Sequence, residues 1–219
     1  MSRQRLPTVV LVSGRGSNLQ SIIDQTSTRQ LPITIRAVIS NESDAYGLVR
    51  ARNAGIPTGV LDHRAFASRA DYDHALMQLI DEYAPQLVVL AGFMRVLGEA
   101  FVNHYAGRLM NIHPSLLPEF PGLGTHARAL ESGATQHGAT VHFVSAALDA
   151  GPIIIQAVLP VHASDTPEAL ADRVLKQEHR IYPQAIRWFA EGRLQIHGGR
   201  VLLDGELRPE QGLVNPQPA

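Results

Sequence analysis

Short apolar runs alternate with segments of helical period along most of the chain, and this alternation sets the expected architecture. Residues 8–12 are rich in β-formers and free of charge, as a central strand covered on both faces requires. Ser13-Gly14-Arg15-Gly16-Ser17-Asn18 breaks that strand, and Leu19, Ile22 and Ile23 begin a helical face. Residues 33–39 read as a second strand, followed by a helix around 45–54 that Gly55 can terminate, and 57–61 as a short third strand. Ser68 is placed to cap a helix in which Tyr72, Leu76, Leu79, Ile80 and Tyr83 recur at helical spacing before Pro85 restarts the chain. A buried strand over 87–90, a short helix near 99–105 and a strand over 108–112 that Pro114 stops complete this half.

Beyond the Pro/Gly-rich stretch 118–124, residues 140–144 alternate, and 153–159 form a further strand across a turn at Asp149. A long helix is expected from Thr166, or from an Asp165 cap, towards Phe189, with Pro183 a point of kinking or interruption. Residues 201–207 carry the Asp204-Gly205 signal of a tight hairpin, and the tail from Pro209 reads as loose. The alternation predicts an α/β fold: a doubly wound, mostly parallel sheet with right-handed crossovers and antiparallel additions toward the C-terminus. With no internal repeat or linker, residues 1–219 read as a single domain. Sheets of this kind bind ligands at the carboxyl ends of their strands, where the Gly14 loop, Asn111 and His113 all fall.

Composition narrows the function classes. Hydrophobic content of 45% and charged content of 18% are those of an ordinary globule, and a net charge of −1 gives no general attraction for nucleic acid. Zero cysteines remove disulfides, thiolate metal sites and a cysteine nucleophile. The N-terminus lacks the apolar stretch of a signal peptide, and no run approaches the ~20 residues that span a bilayer, so a soluble, cytoplasmic protein is expected. Of the ten histidines, His113, His126, His137 and His142 lie in one region, but none forms a short His-x-x-x-His pair, and no metal is expected.

The chemistry concentrates in Asn111-Ile112-His113-Pro114-Ser115 and Leu148-Asp149-Ala150-Gly151-Pro152, which supply an amide, an imidazole and a carboxylate. Asn111 and His113, two apart on a strand, project from one face at its end. These are parts of an acyl-transfer site without a covalent nucleophile. Asn111 can donate to a developing oxyanion, His113 can act as second donor and as general acid and base, and Asp149 would hold one ring nitrogen of His113. Spacing alone does not separate this from an Asn-His loop pair and an Asp that caps its own turn. The strand, glycine turn and helix around Gly14, Gly16, Ser17 and Asn18 would expose backbone N–H groups to a phosphate, although many strand-to-helix turns carry glycines for steric reasons alone. The loop matches neither the Gly-x-x-x-x-Gly-Lys-Ser/Thr pattern nor the full Gly-x-Gly-x-x-Gly fingerprint.

Taken in order, Ser13-Gly14-Arg15-Gly16-Ser17-Asn18-Leu19, Leu90-Ala91-Gly92-Phe93-Met94-Arg95, Asn111-Ile112-His113-Pro114-Ser115-Leu116-Leu117-Pro118, His137-Gly138, Val141-His142-Phe143-Val144 and Gln177-Glu178-His179 resemble the glycinamide ribonucleotide formyltransferases over nearly the whole chain. The resemblance implies a formyltransferase-like fold with a Rossmann-type N-terminal half, a nucleotide-binding half over 8–113 and a folate and catalytic half over 114–208. It implies that 10-formyltetrahydrofolate gives its formyl group to the amine of 5-phosphoribosylglycinamide, in purine biosynthesis. Asn111, His113 and Asp149 match the catalytic trio; Gly16, Ser17 and Asn18 match the phosphate site and Glu178 the ribotide-binding glutamate. Arg69 matches a folate-contacting arginine, and Met94, Arg95, Val96 and Leu97 match the segment that receives the pterin, with Asn111 adjoining it. Apart from the family, Glu178 reads as a solvent-facing helix charge and Arg69 as a surface residue.

Three positions depart from the pattern. Ala150 stands where relatives often have a second glycine, Gly124 where some carry histidine, and Leu175 where certain members place a polar phosphate contact. Methionyl-tRNA formyltransferase and formyltetrahydrofolate deformylase share the trio but add a C-terminal RNA-binding domain and an N-terminal regulatory domain, for which this reading leaves no room. A binding protein on the same fold would keep the pockets without needing His113.

Overall fold

The computed structural model describes residues 5–207, and the loose tail expected from Pro209 lies outside them. The elements run β1 (Leu6–Val12), α1 (Ser17–Ser27), β2 (Ile33–Ser40), α2 (Tyr46–Asn53), β3 (Thr58–Val60), α3 (Arg69–Asp81), β4 (Leu87–Leu90), α4 (Glu99–His104) and β5 (Leu109–His113). There follow α5 (Thr125–Glu131), β6 (Gln136–Phe143), β7 (Ile153–Pro160), α6 (Pro167–Ala190), β8 (Leu194–His197) and β9 (Arg200–Leu203). A seven-stranded sheet has the order β3-β2-β1-β4-β5-β6-β7, and β8 and β9 make a separate antiparallel pair. The chain forms two compact units that divide between Asn111 and Ile112, within β5.

In the first unit β1 pairs in parallel with both β2 and β4, β2 with β3 and β4 with β5. The winding reverses between β1 and β4, so the loops that leave these two strands rise side by side at the carboxyl edge. The strands are buried on both faces: Val9 through Val12 and Leu87 through Val89 have no exposed surface, which explains why they read as continuous apolar runs. Ser68 caps α3 by accepting from the Asp71 N–H at 3.1 Å, as its sequence position predicts.

In the second unit β6 and β7 pair antiparallel, and α6 packs on both strands. Along α6 the buried residues Leu170, Val174, Glu178, Ile181, Tyr182, Ala185 and Ile186 follow one helical stripe. Each large apolar member contributes on the order of 1.5–3 kcal/mol, and the stripe continues on both sides of Pro183. That burial outweighs the proline's cost of about 3 kcal/mol, so Pro183 does not interrupt the helix.

Three expectations need correction. Helix α5 lies where none was expected: its seven residues carry too little apolar periodicity, and its bounds come instead from Gly124 and Gly133, both with positive φ. Strand β6 starts at Gln136, four residues before the alternating segment, because its first turns of sequence bury His137 and Gly138 rather than aliphatic side chains. A hairpin of β8 and β9, turning at Gly198-Gly199 with φ of 56° and 75°, stands where none was expected, ahead of the expected Asp204-Gly205 turn. Asp204-Gly205 makes a second tight turn, closed by the single bridge Leu203–Glu206.

Helix α5 packs against α6, and it meets β6 through two imidazoles. His126 Nδ1 lies 3.1 Å from Nε2 of the fully buried His137, with the rings edge to face, and Phe120 meets His137 edge-on from the other side. Burial pushes His137 down to about 4, with the neighbouring His126 and His113 acting in the same direction. His126 is also lowered, chiefly by burial. Protons therefore bind the unfolded chain in preference between pH 6.5 and about 4, and stability present above pH 6.5 is lost as pH falls through that window. Thermal unfolding followed from pH 8 to pH 4 is expected to show this decline, and His137→Gln to flatten it. An acid limb as steep in the variant as in the wild type would contradict the assignment.

Candidate active site

Strand β5 ends in Asn111-Ile112-His113, so the amide and the imidazole leave one face of the same strand while Ile112 turns the other way into the core. His113 is buried, and both of its ring nitrogens face oxygen. Nδ1 lies 3.4 Å from Asp149 Oδ2, and Nε2 lies 3.0 Å from the Phe120 carbonyl. A doubly protonated ring satisfies both acceptors, whereas a neutral ring satisfies one.

Asp149 occupies the turn between β6 and β7 with φ of 50°, a left-handed conformation that Asp tolerates better than most residues. Its Oδ2 accepts from the Gly122 N–H at 2.9 Å, and its Oδ1 lies 3.9 Å from His142 Nε2. His142 is buried on β6 and places Nδ1 3.0 Å from the Phe143 carbonyl, an oxygen that only accepts, so the proton of a neutral ring sits on Nδ1. Burial lowers its pKa, against the opposing influence of the Phe143 carbonyl and Asp149. The carboxylate thus stands between two imidazoles and a backbone donor. The alternative reading of Asp149, as a residue capping its own turn, does not describe this side chain.

The loop that follows His113 is fastened from below. Thr140 Oγ donates to the Ser115 carbonyl at 2.7 Å and accepts from the Leu117 N–H at 3.0 Å, while the Gln156 amide donates to the Leu117 carbonyl at 2.8 Å. Ser115 Oγ donates to the Glu119 carbonyl at 2.6 Å. These bonds fix the backbone that carries Phe120 and Gly122, the two groups that touch His113 and Asp149. His142 stands out in the sequence as one of four clustered histidines and within Val141-His142-Phe143-Val144, but Phe120, Gly122, Thr140 and Gln156 were not singled out.

In the first unit, Gly16 caps α1 in the left-handed conformation, with Ser17 and Asn18 opening the helix. A Cβ on Gly16 would lie 2.6 Å from Gly47 Cα, so the glycine answers to close approach as well as to φ. No acidic residue stands in the first turn of α1, and Arg50 donates to the Arg15 carbonyl at 2.8 Å, which leaves an N-terminus suited to an anion. Arg69 is exposed at the start of α3. In the segment after β4, Met94 is 68% and Val96 58% exposed, while Leu97 is 9% exposed.

Glu178 belongs to the second unit, and it is buried on the apolar stripe of α6, not solvent-facing. The helical period could have shown this, since Glu178 falls four residues after Val174. Leu175 is half-buried and Lys176 exposed on other faces of the helix. Among the described residues, no group of three or more His, Asp or Glu side chains is arranged to hold a metal ion, and no helix is long and apolar enough to cross a membrane.

Residues 6–186 match the profile of the family described as Formyl transferase. Phosphoribosylglycinamide formyltransferase of Escherichia coli (strain K12) is 58% identical over 204 residues, which cover 93% of this chain and 96% of that one. The trifunctional purine biosynthetic protein adenosine-3 of Homo sapiens is 44% identical over 194 residues, covering 89% of this chain and 19% of that protein. Among solved structures, the phosphoribosylglycinamide formyltransferase of Coxiella burnetii superposes with a TM-score of 0.91 at 55% identity, covering 97% of this chain and all of that one. On these matches the chain belongs to the formyl transferase family and, within it, to the phosphoribosylglycinamide formyltransferases.

Proposed function

We propose that this chain transfers the formyl group of 10-formyltetrahydrofolate to the amine of 5-phosphoribosylglycinamide by direct attack, with Asn111, His113 and Asp149 as the reacting site. The amine nitrogen adds to the formyl carbon, and the carbonyl electrons move to oxygen. Asn111 donates an amide hydrogen to that oxygen, and a donor oriented before the charge develops lowers such a barrier by about 3–4 kcal/mol. His113 gives the second hydrogen bond and then moves the proton: the attacking nitrogen loses one, the folate N10 gains one, and the C–N10 bond breaks. Asp149 holds one ring nitrogen of His113 and fixes its orientation. The His113–Asp149 distance of 3.4 Å, on the strand that also carries Asn111, is the observation that supports this most.

The ribotide phosphate is assigned to the backbone and side chains of Gly16, Ser17 and Asn18, and the ribotide also to Glu178. Arg69 and the segment Met94, Arg95, Val96 and Leu97 are assigned to the folate. The exposure of Met94 and Val96 supports an apolar ligand face there. No metal takes part in this scheme, and a location in the cytoplasm is part of the same proposal.

Purified protein mixed with ribotide and 10-formyltetrahydrofolate, followed by folate absorbance, is expected to turn over only when ribotide is present. Turnover without ribotide would indicate a deformylase, the activity named for a Burkholderia mallei structure 29% identical to this chain. Asn111→Ala and His113→Ala should each lower kcat by about a hundredfold or more, with ribotide still bound. Near-normal turnover in either would reject its role. Asp149→Asn should slow the reaction and change its pH dependence, because the ring loses its carboxylate partner. A pH–rate profile unchanged in shape and position would remove Asp149 from the mechanism.

A further inference from the structure

The segment between β4 and α4 has no regular secondary structure from Phe93 to Gly98, and two side chains hold its backbone at either end. The Met94 N–H donates to Ser13 Oγ at 2.7 Å, and the Gly98 N–H donates to Asp73 Oδ2 at 2.7 Å. Ser13 is itself fixed: its hydroxyl donates to Asn41 Oδ1 at 2.5 Å, and its N–H donates to the Gly92 carbonyl at 3.0 Å. Between the two anchors, Met94 and Val96 are directed outward.

Asp73 is the less expected anchor. It is only 4% exposed, beside the apolar buried face of α3 formed by Tyr72, Leu76 and Ile80. Burying a carboxylate is costly, and burial does raise its pKa, opposed by the Gly98 N–H and by the charges of Arg69 and Arg95. An apolar residue would serve the packing of α3 better, so the carboxylate answers to a need other than the core. Gly98 allows its approach: an added Cβ there would lie 2.9 Å from Asp73 Oδ2 and 3.9 Å from Arg69 Nε. Asp73 Oδ1, Arg95 Nε and Tyr72 Oη are buried without hydrogen-bond partners, so one carboxylate oxygen remains to act on its surroundings through charge. That charge reaches the two arginines assigned to the folate.

We propose that Ser13 and Asp73 are positioning residues for folate recognition: they clamp the ends of the Met94–Leu97 segment. Neither touches the reacting atoms. The proposal rests on the assignment of Arg69 and residues 94–97 to the folate, and the test separates the two.

KM for 10-formyltetrahydrofolate, KM for ribotide and kcat are to be measured for Asp73→Ala, Asp73→Asn, Gly98→Ala, Ser13→Ala and Arg69→Ala. Asp73→Ala is expected to raise the folate KM about tenfold, the scale of a lost hydrogen bond to a charged group, with ribotide KM and kcat unchanged. Asp73→Asn keeps an acceptor for the Gly98 N–H but lacks the charge, so its rise is smaller. Gly98→Ala displaces the carboxylate while keeping both charges, and it should reproduce the rise even if Asp73→Ala fails to fold. Ser13→Ala is expected to raise the folate KM as well. Equal rises in both KM values across the Asp73 and Gly98 variants would overturn the proposal in favour of a general structural role. An unchanged folate KM in those variants, with Arg69→Ala raising it, would overturn the clamp and leave the folate assignment standing. An unchanged folate KM in Arg69→Ala too would overturn the assignment itself.

Discussion

In the proposed mechanism the carboxylate of Asp149 is the constraint on which the chemistry depends. It is held at 3.4 Å from His113 by a positive-φ turn of its own and by the Gly122 N–H on the same oxygen. An acid that is little exposed and already bonded to a backbone donor reorganises little when the ring beside it gains or loses a proton. The Phe120 carbonyl on the opposite ring nitrogen prevents the imidazole from turning. Residues 115–122 therefore do more than connect β5 to α5: their backbone supplies one contact to each member of the pair, and Thr140 and Gln156 keep that backbone in place.

The two units contribute differently. The second holds the groups proposed to move protons in a packed setting, with His113 and His142 buried and the Asp149 side chain 9% exposed. In the first, the parallel sheet reverses its winding between β1 and β4, and the backbone of the loops there is presented outward. Ser13 joins these loops: its hydroxyl belongs to the turn after β1 yet accepts from Met94 in the segment after β4. The groups assigned to phosphate and to folate are thus tied to one another through a single side chain.

Much of this was legible in the sequence. Continuous apolar runs at residues 8–12 and 87–90 disclosed strands buried on both faces, and Asn-x-His ahead of proline disclosed two side chains on one face of a strand end. What stayed hidden depended on contacts far apart in the chain. The approach of Asp149 to His113 was expected from chemistry and resemblance but could not be fixed by spacing, and the Gly98–Asp73 bond left no signal at all. Helix α5 was hidden because its seven residues carry too little apolar periodicity, and it meets β6 through the His126–His137 pair. Apart from the family, Glu178 reads as a surface charge, and only counting the period of α6 places this acid on its buried face.

A crystal structure with ribotide and a folate analogue that cannot transfer its one-carbon group is the most direct test. Such a structure should place the carbon corresponding to the formyl group within about 3–4 Å of the Asn111 amide and the His113 ring, with the ribotide amine aligned on its other side. A transferable carbon lying well away from both side chains would contradict the account.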